Sequence, residues 1–262
     1  MVCAMWGGAW DVHWLDEVDS TNTDVRARAR QGAPAGLVVV ADHQTAGRGR
    51  LDRRWESPPG ANLLASVLLR PSCGAEDMYL GAGAVALAGA DACREVAGVE
   101  PTLKWPNDLL LDGSKLAGVL AEAEFDGPSV SALVVGIGIN VAWPGPPDVH
   151  GTCLDDASPS GVPVDRRALL DHLLRALEPR CALLEDGTGR RALAEQVRRL
   201  CTTLGQQVRV DLVGEVVTGR AVSIDDVGRL VVETAGAART ISAGDVVHLR
   251  PDQGRDGVGG LG

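Results

Sequence analysis

The sequence predicts an α/β protein of the α+β type, in which a domain with a mixed, largely antiparallel sheet is followed by a small β-barrel. Asp-Gly pairs, which favour tight hairpins, separate three apolar runs in the middle of the chain: Leu109–Leu111, Leu116–Phe125 and Val130–Val141. After Gly205, short alternating runs with glycine-containing turns replace the longer elements. The meander is unlike a doubly wound parallel sheet, and the later change of pattern indicates a second domain.

Six elements are predicted before this meander. The extended segments are Trp10–Val18, Leu37–Ala41, Asn62–Leu69 and Leu103–Trp105, and the helices run from Ser20 to about Arg30 and from Asp77 to Val96. Thr21, with Asp24 three residues later, resembles a capping box at the start of the first helix. Gly32 and Gly98 follow the two helices and are typical of helix ends.

A loop, two helices and the barrel are predicted after the meander. Trp143–Pro163 is rich in proline and glycine, which indicates a long surface loop. One helix is expected over Asp165–Leu184 with Asp165 as its N-cap, and a second over about Ala192–Cys201. The barrel strands are Val208–Leu212, Val216–Ile224, Leu230–Thr234 and Val246–Leu249. The predicted units are a lead (1–10), the larger domain (11–203), the barrel (204–250) and a disordered tail (251–262).

Composition and charge argue against nucleic acids and membranes as binding partners of this protein. The chain has 262 residues and a formal net charge of −10, so it lacks the broad basic face that general nucleic-acid binding needs. Its six cysteines show no C-x-x-C spacing. The N-terminus has no basic, apolar leader, and the uncharged helical stretch Met78–Ala90 is shorter than the ~20 residues of a membrane span. We therefore expect a soluble cytoplasmic protein with neither a nucleic acid nor a membrane as partner. The sequence leaves open whether it is a monomer or a homodimer.

Residues 44–55 form a cationic segment in this acidic chain. Gly47 and Gly49 flank Arg48, and Arg50 follows. Glycine lets a backbone bend close to a ligand, and arginine offers fixed donors that match phosphate or carboxylate oxygens. An isolated segment of this kind is usually a solvated turn. In the context of the remaining sequence, it points to an anionic small-molecule ligand.

Three further segments have ordinary structural explanations when each is taken alone. Lys104–Asp108 is consistent with a polar turn, and Lys115 follows a hairpin at a position that usually faces solvent. Gly136–Asn140 is consistent with a buried strand. It is not a dinucleotide-binding fingerprint because Val141 stands where the third glycine would be, and the chain has no P-loop motif.

Taken together, five segments carry a family resemblance: Asp19–Asn22, Gln44–Arg50, Lys104–Asp108, Lys115–Gly118 and Gly136–Asn140. Their order and approximate spacing resemble those of biotin–protein ligases, and the resemblance covers residues 11–250. It implies a class II synthetase-like catalytic domain followed by an SH3-like barrel. It also implies that ATP, with Mg²⁺ on its phosphates, activates the carboxylate of biotin as biotinyl-5′-adenylate. Biotin then passes to one lysine of a biotin carboxyl carrier domain.

The same resemblance implies a role for each matched residue. Arg48, Arg50 and Lys115 would be the catalytic cations that contact both biotin and ATP. The remaining biotin contacts would be Ser20, Thr21, Asn22, Gln44, Gly49 and Gly118, with Gly136 also lining the slot for the bicyclic ring. The remaining ATP contacts would be Trp55, by stacking on adenine, and Asn140, through its amide. No metal ligand set is assigned, although Asp108 is a candidate for Mg²⁺.

Two alternatives stay open, and two features depart from the pattern. The alternatives are a lipoate–protein ligase of the same fold and a non-catalytic sensor of biotin or its adenylate. Asp52 stands where the family loop often has glycine, and we expect it to alter loop closure. Arg53 and Arg54 beside it are expected to be solvated charge. Because the pattern begins by about residue 10, no helix-turn-helix DNA-binding domain is expected before it.

Overall fold

The larger sheet places residues from distant parts of the chain side by side. The computed structural model describes residues 9–51, 53–71, 74, 77–127, 129–212, 214–242 and 244–249. The strands of the larger sheet are β1 (Asp11–Val18), β2 (Leu37–Gln44), β3 (Leu63–Leu69), β4 (Thr102–Lys104), β5 (Asp108–Leu111), β6 (Ser114–Asp126) and β7 (Ser129–Ile139). Their order is β1-β2-β3-β7-β6-β5-β4. β1 and β2 are parallel and the other neighbouring pairs are antiparallel, which confirms the predicted mixed, largely antiparallel sheet.

Burial determines which strands occupy the centre of this sheet. All of β3 and most of β7 are buried, as their nearly continuous apolar sequences indicate. β6 pairs with β7 in a register that sets Gly118 opposite Gly138 and Leu120 opposite Gly136. The two strands therefore offer a stretch of backbone with little side-chain cover, and a flat group can approach it closely.

The helices cover the two faces of the sheet unequally. They are α1 (Thr21–Arg30), α2 (Met78–Ala97), α3 (Leu154–Ala157), α4 (Arg166–Leu183) and α5 (Gly187–Leu200). Val38 and Val40 belong to the main core with α2, whereas Val39 packs with Val25 and Ala29 of α1. Since successive strand residues point to opposite faces, α1 and α2 lie on opposite sides of the sheet. α4 and α5 pack on the α2 side.

The last five strands form a second, antiparallel sheet. They are β8 (Gln207–Asp211), β9 (Val216–Ile224), β10 (Leu230–Glu233), β11 (Ala238–Ile241) and β12 (Asp245–His248), in the order β11-β10-β9-β8-β12. Trp105 joins the two units. Its backbone N–H donates to Thr203 Oγ1 (3.0 Å), and its indole N–H donates to the Gly228 carbonyl (2.9 Å). The exact domain boundary near residue 203 stays a prediction.

Several local predictions were wrong at element ends. α5 begins at Gly187, five residues before the expected Ala192, because Asp186 accepts hydrogen bonds from two backbone N–H groups at 2.8 Å and caps the helix. Ser20 occupies the N-cap of α1 without a side-chain cap bond, so Thr21 and Asp24 form no capping box there. Two elements, α3 and β11, were not expected.

Some expectations fall outside the described residues. These are the effect of Asp52, the lead over 1–8 and the tail over 251–262, and they stay predictions. Among the helices that the structure does describe, none has the length and apolar character to cross a bilayer. Cys93, Cys153, Cys181 and Cys201 are buried and free. Burial raises the pKa of Cys93 to about 12, so this thiol is not a nucleophile at neutral pH.

Candidate functional site

One cavity of about 520 Å³ collects the residues that the sequence predicted for ligand binding. Its volume lies within the usual range for small-molecule sites. It lies over β6 and β7, between the N-terminus of α1, the arginine segment and the loop after β7. The predicted residues that line it are Ser20, Thr21, Asn22, Gln44, Arg48, Gly49, Arg50, Trp55, Lys115, Gly118, Gly136 and Asn140. The sequence therefore identified a set that the fold brings together from four of the five motif segments, together with Trp55.

The N-terminus of α1 forms the polar end of the cavity. Gln44, at the end of β2, accepts through Oε1 from the backbone N–H of Thr21 (2.8 Å) and from its hydroxyl (3.1 Å). Ser66 of β3 lies below, with its Oγ 2.7 Å from Thr21 Oγ1 and 2.6 Å from Asn22 Oδ1. All of Ser20, Thr21 and Asn22 are buried. This end is a preorganised group of hydroxyl and amide functions, suited to a neutral polar head group such as a urea.

Asn22 links that end to the sheet. Its Nδ2 donates to the Leu120 carbonyl (3.2 Å) and to Glu122 Oε2 (2.8 Å). A methyl group on Gly136 would lie 2.2 Å from Asn22 Oδ1, so glycine at this position makes room for the amide. Asn22 is therefore held by the protein on both its donor and its acceptor side, so the geometry favours a role in shaping the turn, and its predicted contact with biotin stays a prediction.

The arginine segment is a short hairpin. Trp55 N–H donates to the Gly47 carbonyl (3.0 Å), Gly49 N–H donates to the Arg53 carbonyl (2.7 Å), and Arg48 pairs with Arg54 as an antiparallel bridge. Gly47 is sterically required, because a methyl group there would lie 2.3 Å from the Trp55 carbonyl oxygen. At Gly49 the nearest atom would be 3.4 Å away, which is ordinary contact.

Arg48 and Arg50 both line the cavity but have different partners, a carboxylate for Arg48 and neutral oxygens for Arg50. Arg48 makes a two-pronged ion pair with Glu122, with distances of 3.1 and 2.6 Å. Arg50 has neutral partners, since its NH1 donates to Asn107 Oδ1 and to the Gly244 carbonyl at 3.3 Å each. Burial is the main cause that lowers the pKa of Arg50 below its ordinary value. Such a poorly hydrated cation gains most from an incoming anion.

The hairpin also reaches the second sheet. Arg53 forms an ion pair with Asp245 at the start of β12, and Asp245 lines the cavity. The Arg53 side chain is 63% exposed, as expected for solvated charge, but a residue almost 200 positions away in sequence supplies an ion-pair partner that was not expected. Arg54 donates to the Thr45 carbonyl (3.1 Å) and stays exposed.

Lys115 lies at the centre of the site. Its Nζ is 2.8 Å from Asp108 Oδ1 and 5.6 Å from the centroid of the Trp55 ring. Both Lys115 and Asp108 are about three-quarters buried, with side-chain exposures of 29% and 23%. The backbone of Lys115 is fixed by hydrogen bonds to His150 and Thr152 of the loop after β7. Lys115 is thus a partly buried cation inside the cavity and not the solvent-facing lysine that is usual after a hairpin.

Trp55 lies flat on the glycine pair of β6 and β7. A methyl group would come within 2.9 Å of the ring at Gly118 and within 2.4 Å at Gly138. The indole Nε1 is buried and has no hydrogen-bond partner among the described residues. A buried donor of this kind is normally satisfied, so an acceptor on a water molecule or a ligand would complete it.

Asn140 holds the loop after β7 in place. Its Nδ2 lies within hydrogen-bond distance of the carbonyls of Lys115 (3.3 Å), Pro144 (2.9 Å) and Thr152 (3.0 Å), and its Oδ1 accepts from Asn62 (3.3 Å). An adenine contact through this amide would have to displace one of these bonds. The adenine role of Asn140 stays a prediction, and the geometry favours a scaffolding role.

Sequence reasoning missed three functional neighbours: Ser66, Glu122 and Asp245. Ser66 could have been found, because a single hydroxyl inside an apolar strand is normally buried with a partner. Glu122 could also have been found, since residues 118, 120 and 122 share one face of β6. No signal in the sequence pairs Asp245 with Arg53.

No cluster of three or more His, Cys, Asp or Glu side chains that could hold a metal exists within the described ranges. Asp108 is the carboxylate that contacts Lys115 inside the cavity. Mg²⁺ commonly binds through one or two carboxylates together with substrate phosphates. The donor set therefore fits a metal that arrives with a phosphate-bearing ligand.

Fold and cavity together define an enzyme-type α/β domain that gathers cationic side chains around a cavity of small-molecule size. Residues 14–140 match the Biotin/lipoate A/B protein ligase family, and residues 203–249 match the Biotin protein ligase C terminal domain. The chain is 38% identical to a biotin–[acetyl-CoA-carboxylase] ligase of Mycobacterium tuberculosis, over 93% of this chain and 91% of that protein. It is 31% identical to the bifunctional ligase/repressor BirA of Bacillus subtilis, over 88% of this chain and 72% of that protein.

Among solved structures, the biotin protein ligase from Aquifex aeolicus in complex with biotin and ATP superimposes with a TM-score of 0.76. The two chains are 28% identical, and the match covers 92% of this chain and 99% of the other. The chain belongs to the biotin protein ligase family.

Proposed function

We propose that this protein is an ATP-dependent ligase that activates biotin as biotinyl-5′-adenylate and transfers biotin to a lysine of a biotin carboxyl carrier domain. One observation carries the proposal: a single cavity holds a neutral polar end at Thr21 and Gln44 and a cationic end at Arg48, Arg50 and Lys115. Biotin has matching ends, a ureido group and a carboxylate.

Charge is the main obstacle that this site must overcome. The reaction brings a carboxylate against a triphosphate, and two unit charges 4 Å apart repel by roughly 1 kcal/mol in water and about 4 kcal/mol at an effective dielectric of 20. Lys115 lies where it can contact both groups, and its ammonium stabilises the negative charge that develops between them. Arg50 supplies a second cation without a carboxylate hydrogen-bonded to it among the described residues.

The Trp55 ring and the glycine pair supply the apolar part of the site. Gly118 and Gly138 allow the Trp55 ring to lie directly on the sheet, and the unpaired indole N–H can donate to a ligand. The hairpin covers the cavity from above, and a cover of this kind excludes water from an adenylate, which hydrolyses readily. Asp108 would hold Mg²⁺ that arrives with ATP, and the metal would neutralise phosphate charge.

Family membership supports a biotin carrier protein as the macromolecular substrate. A cytoplasmic location and the lack of a nucleic-acid partner stay predictions from the sequence, and monomer and homodimer stay open alternatives. The base that takes the proton of the acceptor lysine stays unassigned.

Lys115→Ala tests the proposed role most directly. Biotin-dependent pyrophosphate release, followed by label transfer to a carrier domain, should be lost while the protein keeps its melting temperature. The sequence has two lysines, and Lys104→Ala is the matched control because Lys104 lies on β4 outside the cavity. Full activity in Lys115→Ala, or equal losses in both variants, would overturn the role of Lys115.

A further inference from the structure

We propose that Glu122 is a positioning residue that aims Arg48 and ties the loop arginine to the biotin-recognition turn. This inference rests on the proposed function. Glu122 lies on β6, on the same face as Gly118, and its side chain is 18% exposed. It is not one of the residues that the family resemblance assigned.

Each oxygen of the Glu122 carboxylate accepts two hydrogen bonds. Oε1 accepts from Arg26 NH1 (2.7 Å) and Arg48 NH1 (3.1 Å), and Oε2 accepts from Arg48 NH2 (2.6 Å) and Asn22 Nδ2 (2.8 Å). A carboxylate has about four acceptor sites, so this one is saturated. It joins the buried turn of α1, where the ureido end of biotin is expected, to the hairpin that carries the cations.

The mode of contact leaves Arg48 able to bind substrate. A guanidinium has five N–H donors, and Glu122 takes one from each terminal nitrogen. The Nε–H and the outer N–H groups remain for an anion in the cavity. Glu122 therefore fixes the plane of the guanidinium without occupying all of its donors. Charge-assisted, two-pronged bonds of this kind have a defined geometry, which suits a preorganised site.

Glu124 provides an internal comparison. It lies two residues further along β6 and binds Arg26 and Arg30, but neither Arg48 nor Asn22. Its side-chain exposure of 20% is nearly that of Glu122. A purely structural role of the acidic residues on β6 would therefore be shared by both, whereas a positioning role belongs to Glu122 alone.

The experiment compares Glu122→Gln with Glu124→Gln in biotin-dependent exchange of pyrophosphate into ATP. Glutamine keeps the size of the side chain but presents an N–H₂ group to donors that need an acceptor. We expect KM for ATP to rise about tenfold in Glu122→Gln, because one well-placed charged hydrogen bond is worth about that factor. Biotin affinity should fall as well, since Asn22 loses the shorter of its two bonds from Nδ2 and keeps only the one to the Leu120 carbonyl. Glu124→Gln should stay within about twofold of the wild type in both measurements.

A double-mutant cycle with Arg48→Ala separates positioning from general stability. If Glu122 acts through Arg48, Glu122→Gln should lower kcat/KM for ATP by less than about twofold in the Arg48→Ala background. Additive losses, equal losses in the two glutamate variants, or a gain of activity in Glu122→Gln would overturn the inference. A wild type without biotin-dependent exchange would overturn the proposed function itself, and the inference with it.

Discussion

Replacing Gly47 by alanine should disable the arginine hairpin while leaving the fold intact. Gly47 and Trp55 face each other across the hairpin, joined by the hydrogen bond from Trp55 N–H to the Gly47 carbonyl. The new methyl group would lie 2.3 Å from the Trp55 carbonyl oxygen, 0.7 Å inside the 3.0 Å that such atoms keep. Because the opposing atom belongs to the backbone, a side-chain rotation cannot relieve the overlap.

The size of the effect follows from this overlap. Overpacking of this kind costs typically about 1–3 kcal/mol, which corresponds to roughly a 5- to 150-fold loss in the population of the closed hairpin. Trp55 would move with its carbonyl, and Arg48 would leave Glu122. The core of the sheet is not touched, so the melting temperature should change little.

Adenylate formation is the assay, read as biotin-dependent pyrophosphate release with biotin binding measured in parallel. Gly49→Ala is the matched control, because a methyl group at Gly49 meets its nearest atom at 3.4 Å and should cost less than about twofold. Wild-type activity in Gly47→Ala would show that the hairpin geometry is not the active one. Equal losses in the two variants would show that backbone freedom, rather than the specific contact, is what the glycines provide.

Two further predictions concern stability. Hydrogen bonds from Arg30 and then Arg26 lower the pKa of Glu124 below its ordinary 4.5. The ionised carboxylate therefore stabilises the folded state above pH 4.5. This stabilisation is lost as the pH falls through the lowered pKa. The difference in free energy of unfolding between wild type and Glu124→Gln should therefore be constant near neutral pH and should shrink below about pH 4.5. A difference that grows on acidification would contradict the reasoning. Thr203→Val should destabilise the protein by about 1–3 kcal/mol, because the buried N–H of Trp105 loses its acceptor, whereas Thr203→Ser should not. Equal denaturation midpoints for the serine and valine variants would remove the hydrogen-bond explanation.

The sequence was sufficient for the parts of the fold that follow local rules. Asp-Gly turns and apolar periodicity located the meander, and the N-cap at Asp165 is confirmed by its bond from Arg167 N–H (2.9 Å). The start of α5 was missed because Asp186 lies before a Gly-Thr-Gly run that looks like loop. β11 was missed because three of its four residues are exposed and carry no apolar alternation.

The candidate site shows a second limit of prediction from the sequence. Motifs located the residues that line the cavity, because the order of residues within each motif specifies the local backbone conformation. They could not show which cation is paired with which carboxylate. Arg48 with Glu122, Lys115 with Asp108 and Arg53 with Asp245 are contacts that depend on strand register and on docking of the second sheet. Such pairings are set by tertiary structure, so a charge run in the sequence does not reveal them.

The most direct test of the central claim is exchange of labelled pyrophosphate into ATP by the wild-type protein, with biotin and lipoate supplied in separate reactions. The polar end formed by Thr21, Gln44 and Ser66 is matched to a ureido group, which lipoate lacks. We expect exchange that depends on biotin and is at or near background with lipoate. Exchange with lipoate that equals or exceeds that with biotin, or no exchange with either acid, would contradict the account.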